Sequence, residues 1–326
     1  MGKSYNWGII GPGKIAAKFA ASLQQVPGAN LQAIASRDKQ RAEQFAQQFG
    51  AKTVCTDYTE LVKDTTVDIV YIATPHSFHH THALLCLQHK KPVVCEKPLT
   101  LNYTSAQAIV AAARSANVFF MEGMWTRFFP AIHKTLGLIQ QGAIGEVKFL
   151  QADFGFVAPF DTSSRLFDVK LGGGSLLDVG VYPLFLALTV LGEPAEIQSK
   201  SHLSSTGADE QTSITLYYPK GQIAALHSSI VTGTPIQAVI TGTKGSITLP
   251  TPWFKPDTVV LKKEEQEAET FSFPYTGFGF EYEIAEVMQC LDNGLPESPL
   301  MPLDFSLLMS RTLDTVCRQN GLQYEL

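Results

Sequence analysis

The fold of the first half of this chain is decided by residues 6–16, which read Asn6-Trp7-Gly8-Ile9-Ile10-Gly11-Pro12-Gly13-Lys14-Ile15-Ala16. The first five of these residues form a short apolar run, which is typical of a buried parallel strand. Residues 17–25 carry the apolar spacing of a helix. The pattern G-x-G-x-x-A therefore stands between a strand and a helix. In that context it predicts a dinucleotide-binding loop and not a glycine turn without a ligand.

Each small residue of this loop has its own physical task. Gly11 allows the tight turn after the strand, Gly13 lets the backbone approach a pyrophosphate, and Ala16 lets the helix pack closely on the strand. The start of the helix offers free N–H groups and a partial positive charge to the phosphates. The predicted cofactor-binding residues of this loop are Gly11, Pro12, Gly13, Lys14 and Ile15.

The second predicted strand, over 31–35, ends at the residues that indicate which dinucleotide is bound. An NAD enzyme carries an acidic residue about 20 positions after the glycine loop, where it binds the ribose 2′-hydroxyl. Here Ser36 and Arg37 occupy that place, and a hydroxyl and a guanidinium suit a 2′-phosphate. We therefore predict NADP in preference to NAD. Asp38 could reach a ribose but is better placed to cap a helix over 39–49, and a solvated surface position is the alternative for Arg37.

A fourth predicted strand, over 67–73, ends in a turn that is rich in histidine. A metal site is one interpretation of His76, His79, His80 and His82, but no cysteine or carboxylate nearby completes a zinc ligand set. We therefore predict no metal. A turn that lines the cofactor near the nicotinamide ribose requires fewer assumptions. The residues predicted to bind the cofactor here are Thr74, Pro75, His76 and His79.

The fifth predicted strand carries the sequence V-V-C-E-K-P-L over residues 93–99. It places Lys97 at the carboxyl end of a buried strand, where open α/β sheets bind their ligands. A lysine in that position can lose its hydration, which lowers its pKa and lets it exchange a proton near neutral pH. The alternative is a surface lysine that closes the strand, with Pro98 as the stop. On the cofactor interpretation, Glu96, Lys97 and Pro98 line the dinucleotide.

A sixth predicted strand, over 118–121, leads to Trp125 and Arg127 on the same rim as Lys97. This placement favours a cofactor-binding role for both residues and a substrate-binding role for Trp125. The alternative is that Trp125 is a core aromatic residue and Arg127 its surface neighbour.

The alternation of strands and helices stops near Gly142, and the rest of the chain is mostly predicted strand. A chain of 326 residues exceeds what one core usually serves, so we expect two domains. The first, over 1–123, is a doubly wound parallel (Rossmann) sheet of the α/β class. The second, over 124–326, is an α+β domain with a large, mainly antiparallel open sheet, and its C-terminal helix is free to pack back on the first domain. After residue 194 strands are predicted over 195–203, 210–218, 222–231, 235–241, 245–249, 257–263 and 268–274, and helices over 279–293 and 304–319.

Composition excludes several classes of protein. Apolar residues make up 45% and charged residues 17%, as in a globular protein, and no uninterrupted apolar run approaches the ~20 residues of a membrane span. The net charge of −5 argues against a nucleic-acid surface. The five cysteines show no CxxC spacing, and the first residues show no apolar leader. We therefore expect a reduced, cytoplasmic protein with a small-molecule substrate and neither a membrane nor a nucleic acid as partner.

A candidate catalytic pair follows the glycine run at 172–174. Asp178 and Tyr182 are four residues apart, so they share one face of the helix predicted to run to about residue 191. A phenol and a carboxylate on one face, with Lys97 opposite, form a plausible set for proton transfer. The alternative is that Tyr182 packs at a domain junction and Asp178 caps the helix.

Together these motifs resemble the glucose–fructose oxidoreductase / inositol dehydrogenase (Gfo/Idh/MocA) family. The motifs that carry the resemblance, in the family's order and spacing, are G-P-G-K-I-A, A-S-R, A-T-P-H-S-F-H, C-E-K-P-L and G-G-G-S-L-L-D-V-G-V-Y. The stretch F-M-E-G-M-W-T-R-F-F-P looks most like the dimeric dihydrodiol dehydrogenase branch, which also includes NADP-dependent D-xylose dehydrogenases. Many family members carry histidine where Tyr182 stands and asparagine where His76 stands, which weakens any transfer of histidine-dependent mechanisms.

The resemblance implies that Lys97 is catalytic, that Asp178 and Tyr182 match the family's D-x-x-x-H/Y pair, and that the protein is a homodimer through the sheet of its second domain. We therefore expect hydride transfer between NADP and a secondary alcohol of a sugar, cyclic polyol or diol. Tyr182 exchanges the hydroxyl proton, Lys97 lowers the pKa of the phenol and hydrogen-bonds the substrate oxygen, and Asp178 orients this pair. The alternative is that Lys97 carries the proton and Tyr182 orients the substrate. Trp125, Phe154 and Trp253 are predicted to form an apolar wall beside the substrate. A non-catalytic dinucleotide sensor is the alternative, but it would not require Lys97, Asp178 and Tyr182 together.

Overall fold

In the computed structural model, which describes residues 3–324, the chain divides into two compact units. The first unit extends to Trp125 and also takes in Thr276–Leu307. The second unit comprises Thr126–Tyr275 and the residues from Leu308 onward. The chain therefore leaves the first unit two residues after the predicted boundary at 123 and returns to it for about thirty residues near the C-terminus.

The sheet of the first unit is parallel throughout. Its strands are β1 (Tyr5–Ile10), β2 (Ala29–Ala35), β3 (Thr53–Cys55), β4 (Ile69–Ile72), β5 (Val93–Glu96) and β6 (Phe120–Gly123). Within the described residues they lie in the order β3-β2-β1-β4-β5-β6. Every residue of β4, β5 and β6 is buried, because helices cover both faces of such a sheet. These strands are mostly apolar, and their charged residues are Glu96 and Glu122.

The helices of the described chain are α1 (Lys14–Leu23), α2 (Lys39–Phe49), α3 (Tyr58–Lys63), α4 (His79–Gln88), α5 (Tyr103–Ala116), α6 (Pro130–Gln140), α7 (Val181–Leu191), α8 (Phe280–Asp292) and α9 (Leu303–Asn320). The predicted cap of α2 is confirmed, since Asp38 Oδ1 accepts the Arg41 N–H at 3.1 Å. Asp57 caps α3 in a similar way, since its Oδ1 accepts the Thr59 N–H at 2.9 Å.

The two faces of the first sheet have different cores. One face packs aliphatic side chains of the strands, such as Val70 and Ile72, against α4 and α5. Alternate strand residues point to the other face, where Phe19 of α1 stacks on Tyr71 with ring centroids 3.6 Å apart. Phe280 of α8 packs edge-on against Phe19 at 5.9 Å. The segment that returns near the C-terminus therefore completes this aromatic core.

The second unit is built on a mainly antiparallel sheet. Its strands are β7 (Val147–Gly155), β8 (Glu196–Leu203), β9 (Asp209–Tyr217), β10 (Ile223–Ser229), β11 (Ala238–Gly242), β12 (Gly245–Leu249), β13 (Thr258–Lys263) and β14 (Glu269–Ser272). In the described part of the chain they lie in the order β14-β13-β12-β11-β7-β10-β9-β8, and β7 and β10 are the parallel pair. The two sheets together confirm the predicted fold class.

One segment of the second unit is long and apolar enough to cross a membrane. It runs over Val169–Leu191 and includes α7, and 78% of its most apolar window is buried inside the protein. The core helix of a globular domain passes the same test of length and composition. Lys170, the glycines at 172–174 and Asp178 interrupt this segment, so it is not an uninterrupted apolar run. It reaches this length because short turns at 169–171 and 176–180 continue into α7.

The helix predicted to carry Asp178 and Tyr182 differs from the structure in its first turn. Leu176–Gly180 forms a π-helical turn, and the α-helix begins at Val181. A Cβ on Gly180 would lie 2.8 Å from Ser228 Oγ of β10, so the backbone here is pressed against the sheet. Asp178 therefore lies on a π-helical turn and Tyr182 on the α-helix that follows it.

Candidate active site

The glycine loop after β1 has the geometry of a phosphate-binding turn. Gly11 adopts φ +94°, and a Cβ at this position would lie 2.9 Å from Thr74 Cγ2 and 3.1 Å from Thr74 N. The Gly11 N–H donates to the Ala35 carbonyl at 3.0 Å, and the Gly13 N–H donates to the Gly11 carbonyl at 2.9 Å. Only glycine fits between the ends of the neighbouring strands in this conformation.

Helix α1 begins directly after this loop with its first N–H groups unused by any side chain. Gly13 is the N-cap residue, no side chain caps the helix, and its first turn holds no acidic residue. Pro12 and Ile15 are partly buried, while Lys14 is exposed. An uncapped helix N-terminus behind a glycine cradle fits the diphosphate of a dinucleotide.

Two arginines lie beside this loop, one of which the sequence analysis missed. The Arg37 guanidinium lies 5.5 Å from the centre of the Phe78 ring, a cation–π contact that holds an exposed side chain. Arg41 Nη2 donates to the Pro12 carbonyl at 3.4 Å, so its guanidinium lies at the glycine loop. Ser36 is buried, and its Oγ accepts the Asp38 N–H at 3.1 Å. The signal for Arg41 was its position four residues after Arg37.

The turn after β4 is held by histidines, and His79 has a different place from the predicted one. It is fully buried, its Nε2 lies 2.9 Å from the Thr74 carbonyl, and its Nδ1 lies 2.9 Å from the Pro98 carbonyl. Burial lowers the pKa of this imidazole. Both ring nitrogens are occupied by the protein, so His79 braces the β4 turn against the Lys97–Pro98 turn and is not placed to bind the cofactor itself. The neighbouring His76 is also buried, with its ring 5.6 Å from that of His79.

Lys97 is partly buried and directly follows the last residue of β5. Glu96 is buried, receives a hydrogen bond from the Tyr71 hydroxyl, and accepts the Lys97 backbone N–H at 3.2 Å. Glu122 of β6 accepts the Leu99 N–H at 2.8 Å on the other side of the same turn. Burial, followed by the charge of Glu96, raises the pKa of Glu122 to about 7. Two buried carboxyl groups thus fix the backbone on both sides of Lys97.

The aromatic residue that follows β6 ends the first stretch of the first unit. Trp125 is 7% exposed and stacks on Phe280 of α8 with ring centroids 4.6 Å apart and planes 7° from parallel. Arg127, predicted to share its rim, is partly buried and belongs to the second unit. Its carbonyl lies 3.2 Å from Nε2 of His133.

In the second unit Asp178 has an ion-pair partner that the sequence did not reveal. Arg165 Nη2 lies 2.6 Å from Asp178 Oδ1. Arg165 begins a short 3₁₀ turn, and a Cβ on Gly173 would lie 2.5 Å from the Arg165 carbonyl. The close approach that brings the pair together therefore depends on the glycine run at 172–174.

Tyr182 lies among aromatic side chains of the same unit. Its ring centroid is 5.5 Å from those of Phe154 and Phe254, and these two phenylalanines stack at 4.3 Å. Trp253, which the sequence analysis placed in the apolar wall, is fully buried and donates its indole N–H to the Asp153 carbonyl at 2.7 Å. It belongs to the core and offers no open face to a ligand. Phe254, the next residue, provides the aromatic surface in its place.

The first unit carries a glycine loop, an uncapped helix N-terminus and two arginines at the carboxyl ends of its parallel strands. This combination is typical of a dinucleotide-binding protein. Within residues 3–324 no cluster of three or more His, Cys, Asp or Glu side chains could hold a metal ion. Residues 5–124 match the oxidoreductase family with an NAD-binding Rossmann fold, and residues 132–248 match the GFO/IDH/MocA C-terminal domain. The chain belongs to this family of oxidoreductases, as its motifs predicted.

Relatives and solved structures match over nearly the whole chain. The trans-1,2-dihydrobenzene-1,2-diol dehydrogenase of Xenopus tropicalis is 38% identical over 330 residues, with 98% of each chain covered. The Homo sapiens protein of the same name is 35% identical over 327 residues, covering 98% of this chain and 97% of that protein. A 3-ketoreductase from Actinomadura kijaniata, solved with NADP and TDP-benzene, has a TM-score of 0.87 at 25% identity over 98% of both chains. An aldose-aldose oxidoreductase from Caulobacter crescentus, solved with glycerol, shares the fold at a TM-score of 0.89, 21% identity and 98% coverage of both chains.

Proposed function

We propose that this protein is an NADP-dependent dehydrogenase that interconverts a secondary alcohol and a carbonyl group in a trans-dihydrodiol, a sugar or a cyclic polyol. The observation that supports the proposal is a pair of arginines near the glycine loop. Arg41 donates to the Pro12 carbonyl of the loop, and Arg37 follows β2, whose last residue accepts the Gly11 N–H. The similarity to trans-1,2-dihydrobenzene-1,2-diol dehydrogenases along the whole chain supports the substrate class.

The preference for NADP follows from charge. Arg37 and Arg41 provide two guanidinium groups where an NAD enzyme carries a carboxylate, and Asp38 is occupied as the cap of α2. Guanidinium groups bind phosphate with paired, charge-assisted hydrogen bonds. Structures of the 3-ketoreductase solved with NADP are consistent with this preference. Gly11, Gly13 and the first turn of α1 would hold the diphosphate.

The proton chemistry is assigned to side chains of this chain. Bound NADP supplies the hydride acceptor or donor. We assign Tyr182 to the exchange of the substrate hydroxyl proton, because its phenol lies beside the stacked pair of Phe154 and Phe254, a surface suited to a ring-shaped substrate. Lys97 is proposed to stabilise the developing oxyanion with its ammonium group. Asp178, fixed by Arg165, orients the tyrosine.

The solved variants of the 3-ketoreductase support this choice of residue types. One variant replaces a tyrosine by phenylalanine, and others replace a lysine by alanine or glutamate. Tyrosine and lysine are the two residue types assigned here to proton exchange and oxyanion stabilisation.

The test is to measure nicotinamide absorbance with NADP+ and trans-1,2-dihydrobenzene-1,2-diol, followed by a panel of aldoses and cyclic polyols. We expect turnover with at least one of these substrates, and a loss of kcat of about 10²- to 10⁴-fold in Tyr182→Phe and in Lys97→Met. Tyr218→Phe is the matched control, because it removes a buried hydroxyl of the same unit that has no hydrogen-bond partner in the part of the chain that the structure describes. Tight NADPH binding without turnover of any substrate would favour the non-catalytic sensor.

We also propose a homodimer through the open face of the second sheet. Phe149 of β7 is 37% exposed, and its register neighbours Ile223 and Thr241 on the flanking strands are partly buried. An apolar residue in the middle of a wide sheet face suits an isologous contact. Sedimentation of the protein is expected to give twice the chain mass, and Phe149→Lys is expected to give monomers. A wild-type monomer at micromolar concentration would refute the dimer.

A cytoplasmic location is the last element of the proposal. All five cysteines are buried and unpaired, which suits a reducing compartment. Burial raises the pKa of Cys86 and of Cys290 to about 12, so these thiols stay protonated and unreactive. Microscopy of a tagged chain tests the location, and export of the tagged protein would contradict it.

A further inference from the structure

One buried carboxylate of the second sheet binds the segment that joins the glycine run at 172–174 to the π-helical turn. Asp209, the first residue of β9, is fully buried. Its Oδ2 accepts the Ser175 hydroxyl at 2.6 Å and the Leu176 N–H at 2.8 Å. The Thr212 hydroxyl donates to the same oxygen at 2.7 Å. Three donors converge on a single carboxylate oxygen, and two of them belong to the segment that opens the π-helical turn.

We propose that Asp209 is a positioning residue of the reaction, which fixes the π-helical turn at Leu176–Gly180 and thereby the placement of Asp178 and Tyr182. Asp209 itself contacts neither of these side chains in any hydrogen bond of the described structure. It acts through the backbone of the turn. The inference rests on the proposed roles of Asp178 and Tyr182.

The other carboxylate oxygen of Asp209 lies against the backbone of Gly174. Asp209 Oδ1 is buried and has no hydrogen-bond partner within residues 3–324. A Cβ on Gly174 would lie 2.1 Å from this oxygen, and Gly174 adopts φ +121°. The backbone of the segment therefore lies directly on the carboxyl group, which leaves room for glycine alone.

Further contacts hold the same turn at both of its ends. Ser175 Oγ lies 3.0 Å from Ser228 Oγ at the start of the turn, and Gly180 approaches Ser228 at its end. The Tyr324 hydroxyl donates to the Gly173 carbonyl at 3.2 Å. Asp209 differs from these partners because it is the acceptor of a backbone N–H inside the turn itself.

The chemical consequence follows from the geometry of the π-helical turn. Such a turn is less stable than the α-helix into which it can relax, and it persists where surrounding contacts hold it. If the bonds to Asp209 are lost, the turn is free to adopt α-helical pairing, which rotates Asp178 relative to Tyr182. A misplacement of about 1 Å can reduce a rate on the order of a hundredfold.

The acid–base behaviour of Asp209 supplies an independent readout. Burial raises its pKa to about 6, against the opposing effect of the three hydrogen bonds it accepts. The titratable groups that face it are Cys317 of α9 and Tyr324, and the pKa of each is raised by burial. Asp209 therefore loses its charge as the pH falls through about 6, and its hold on the turn weakens in the same range.

The experiment uses Asp209→Asn, which keeps the shape of the side chain and removes its charge. Ile214→Ala is the control, because it truncates a buried core residue on the same strand whose side chain offers the turn no hydrogen bond. With trans-1,2-dihydrobenzene-1,2-diol and NADP+, we expect kcat to fall about ten- to a hundredfold in Asp209→Asn with unchanged NADPH affinity. The decline of kcat near pH 6 is expected to disappear in this variant.

Hydrogen exchange of the backbone over 173–182 completes the test without requiring turnover. We expect faster exchange of these amides in Asp209→Asn than in the wild type, and wild-type exchange there in Ile214→Ala. An Asp209→Asn variant with wild-type kcat and wild-type exchange would overturn the inference, as would an equal loss of kcat in Ile214→Ala. If the wild type turns over no substrate, the proposed function fails, and the exchange measurement still decides whether Asp209 holds the turn.

Discussion

Arg165 and Asp178 form an ion pair with 2.6 Å between Nη2 and Oδ1, and 39% of the arginine side chain remains exposed against 15% of the aspartate. The pair is fixed by the backbone as well as by charge. The Gly174 N–H donates to the Leu166 carbonyl at 2.8 Å, which ties the turn that carries Arg165 to the glycine run before Asp178. Exposed ion pairs contribute only about 0–1 kcal/mol to stability, so we assign this one to orientation of the carboxylate.

Replacement of this arginine tests that assignment. Arg165→Gln is expected to lower kcat about ten- to a hundredfold with little change in Tm, because the Asp178 carboxylate loses its ion pair with Arg165 and is held less firmly beside Tyr182. Arg311→Gln is the control, since Arg311 forms a 2.6 Å pair with Glu193 in the same unit. The two arginine side chains are similarly exposed, at 46% and 39%, whereas Glu193 is 62% exposed. Steady-state kinetics and thermal melts of both variants give the answer, and equal kcat values would remove Arg165 from the site.

The choice of dinucleotide depends on the two arginines beside the glycine loop. Arg37→Ala and Arg41→Ala are each expected to weaken NADPH binding about ten- to a hundredfold, because a charge-assisted hydrogen bond contributes about 1.5–3 kcal/mol. NADH binding should change little, since NADH has no 2′-phosphate. Lys39→Ala serves as the control, because this exposed lysine on the same helix pairs with Glu43. Dissociation constants from nicotinamide fluorescence measure the effect, and equal losses for both dinucleotides would reject the 2′-phosphate assignment.

Gly11 is expected to tolerate no side chain. Gly11→Ala adds a Cβ at 2.9 Å from Thr74 Cγ2 and places alanine at φ +94°, so both the strained backbone and the steric clash oppose it. We expect a loss of about 1–3 kcal/mol in stability together with loss of dinucleotide binding. Gly50→Ala has φ +79° with nothing within 4 Å of the new Cβ, so it isolates the backbone contribution. Similar losses of dinucleotide binding in the two variants would show that the close approach to Thr74 is unimportant.

Glu122 is expected to make stability depend on pH in an unusual direction. Its pKa in the folded protein is about 7, above its ordinary value of 4.5, so the folded state binds the proton more tightly than the unfolded chain does. Stability contributed by this proton is fully present below about pH 4.5 and is lost as the pH rises through about 7. Glu122→Gln removes this dependence and should stabilise the protein at pH 8 by up to about 3 kcal/mol.

Urea unfolding at pH 5 and at pH 8 measures this effect. Glu60→Gln, a change at an exposed position of α3, is the control. An identical difference between wild type and Glu122→Gln at the two pH values would show that this carboxyl group is not responsible.

The features that the sequence predicted well are those whose signals are local. Gly11, Gly13 and Ala16 form a short motif between a strand and a helix, and each needs a small side chain for a reason that is visible within the motif. Asp38 caps α2 through the backbone N–H three residues later, which is also a local relation. The strands of both sheets follow from their apolar patterns and turn residues, so the fold class can be predicted from the sequence alone.

The features that were missed depend on contacts between distant parts of the chain. The π-helical turn exists because Asp209 and Ser228, more than 30 residues away, press on its backbone, and its local sequence reads as an ordinary helix start. Trp253 and Phe254 are adjacent aromatic residues, and only the packing of the loop decides which of them is buried. His79 is polar and resembles a ligand, yet two backbone carbonyl oxygens occupy its ring nitrogens.

The return of α8 has a consequence for any attempt to isolate the nucleotide-binding half of this enzyme. Phe280 stacks on Trp125 and also packs against Phe19, so a gene fragment truncated after Trp125 would expose both of these aromatic rings to water. Such a fragment should aggregate. A stable excised half would have to join the first 125 residues to Thr276–Leu307 through an engineered linker. The same holds for recombination between relatives. To transfer cofactor preference together with this aromatic core, it would have to exchange two separate stretches of DNA at once.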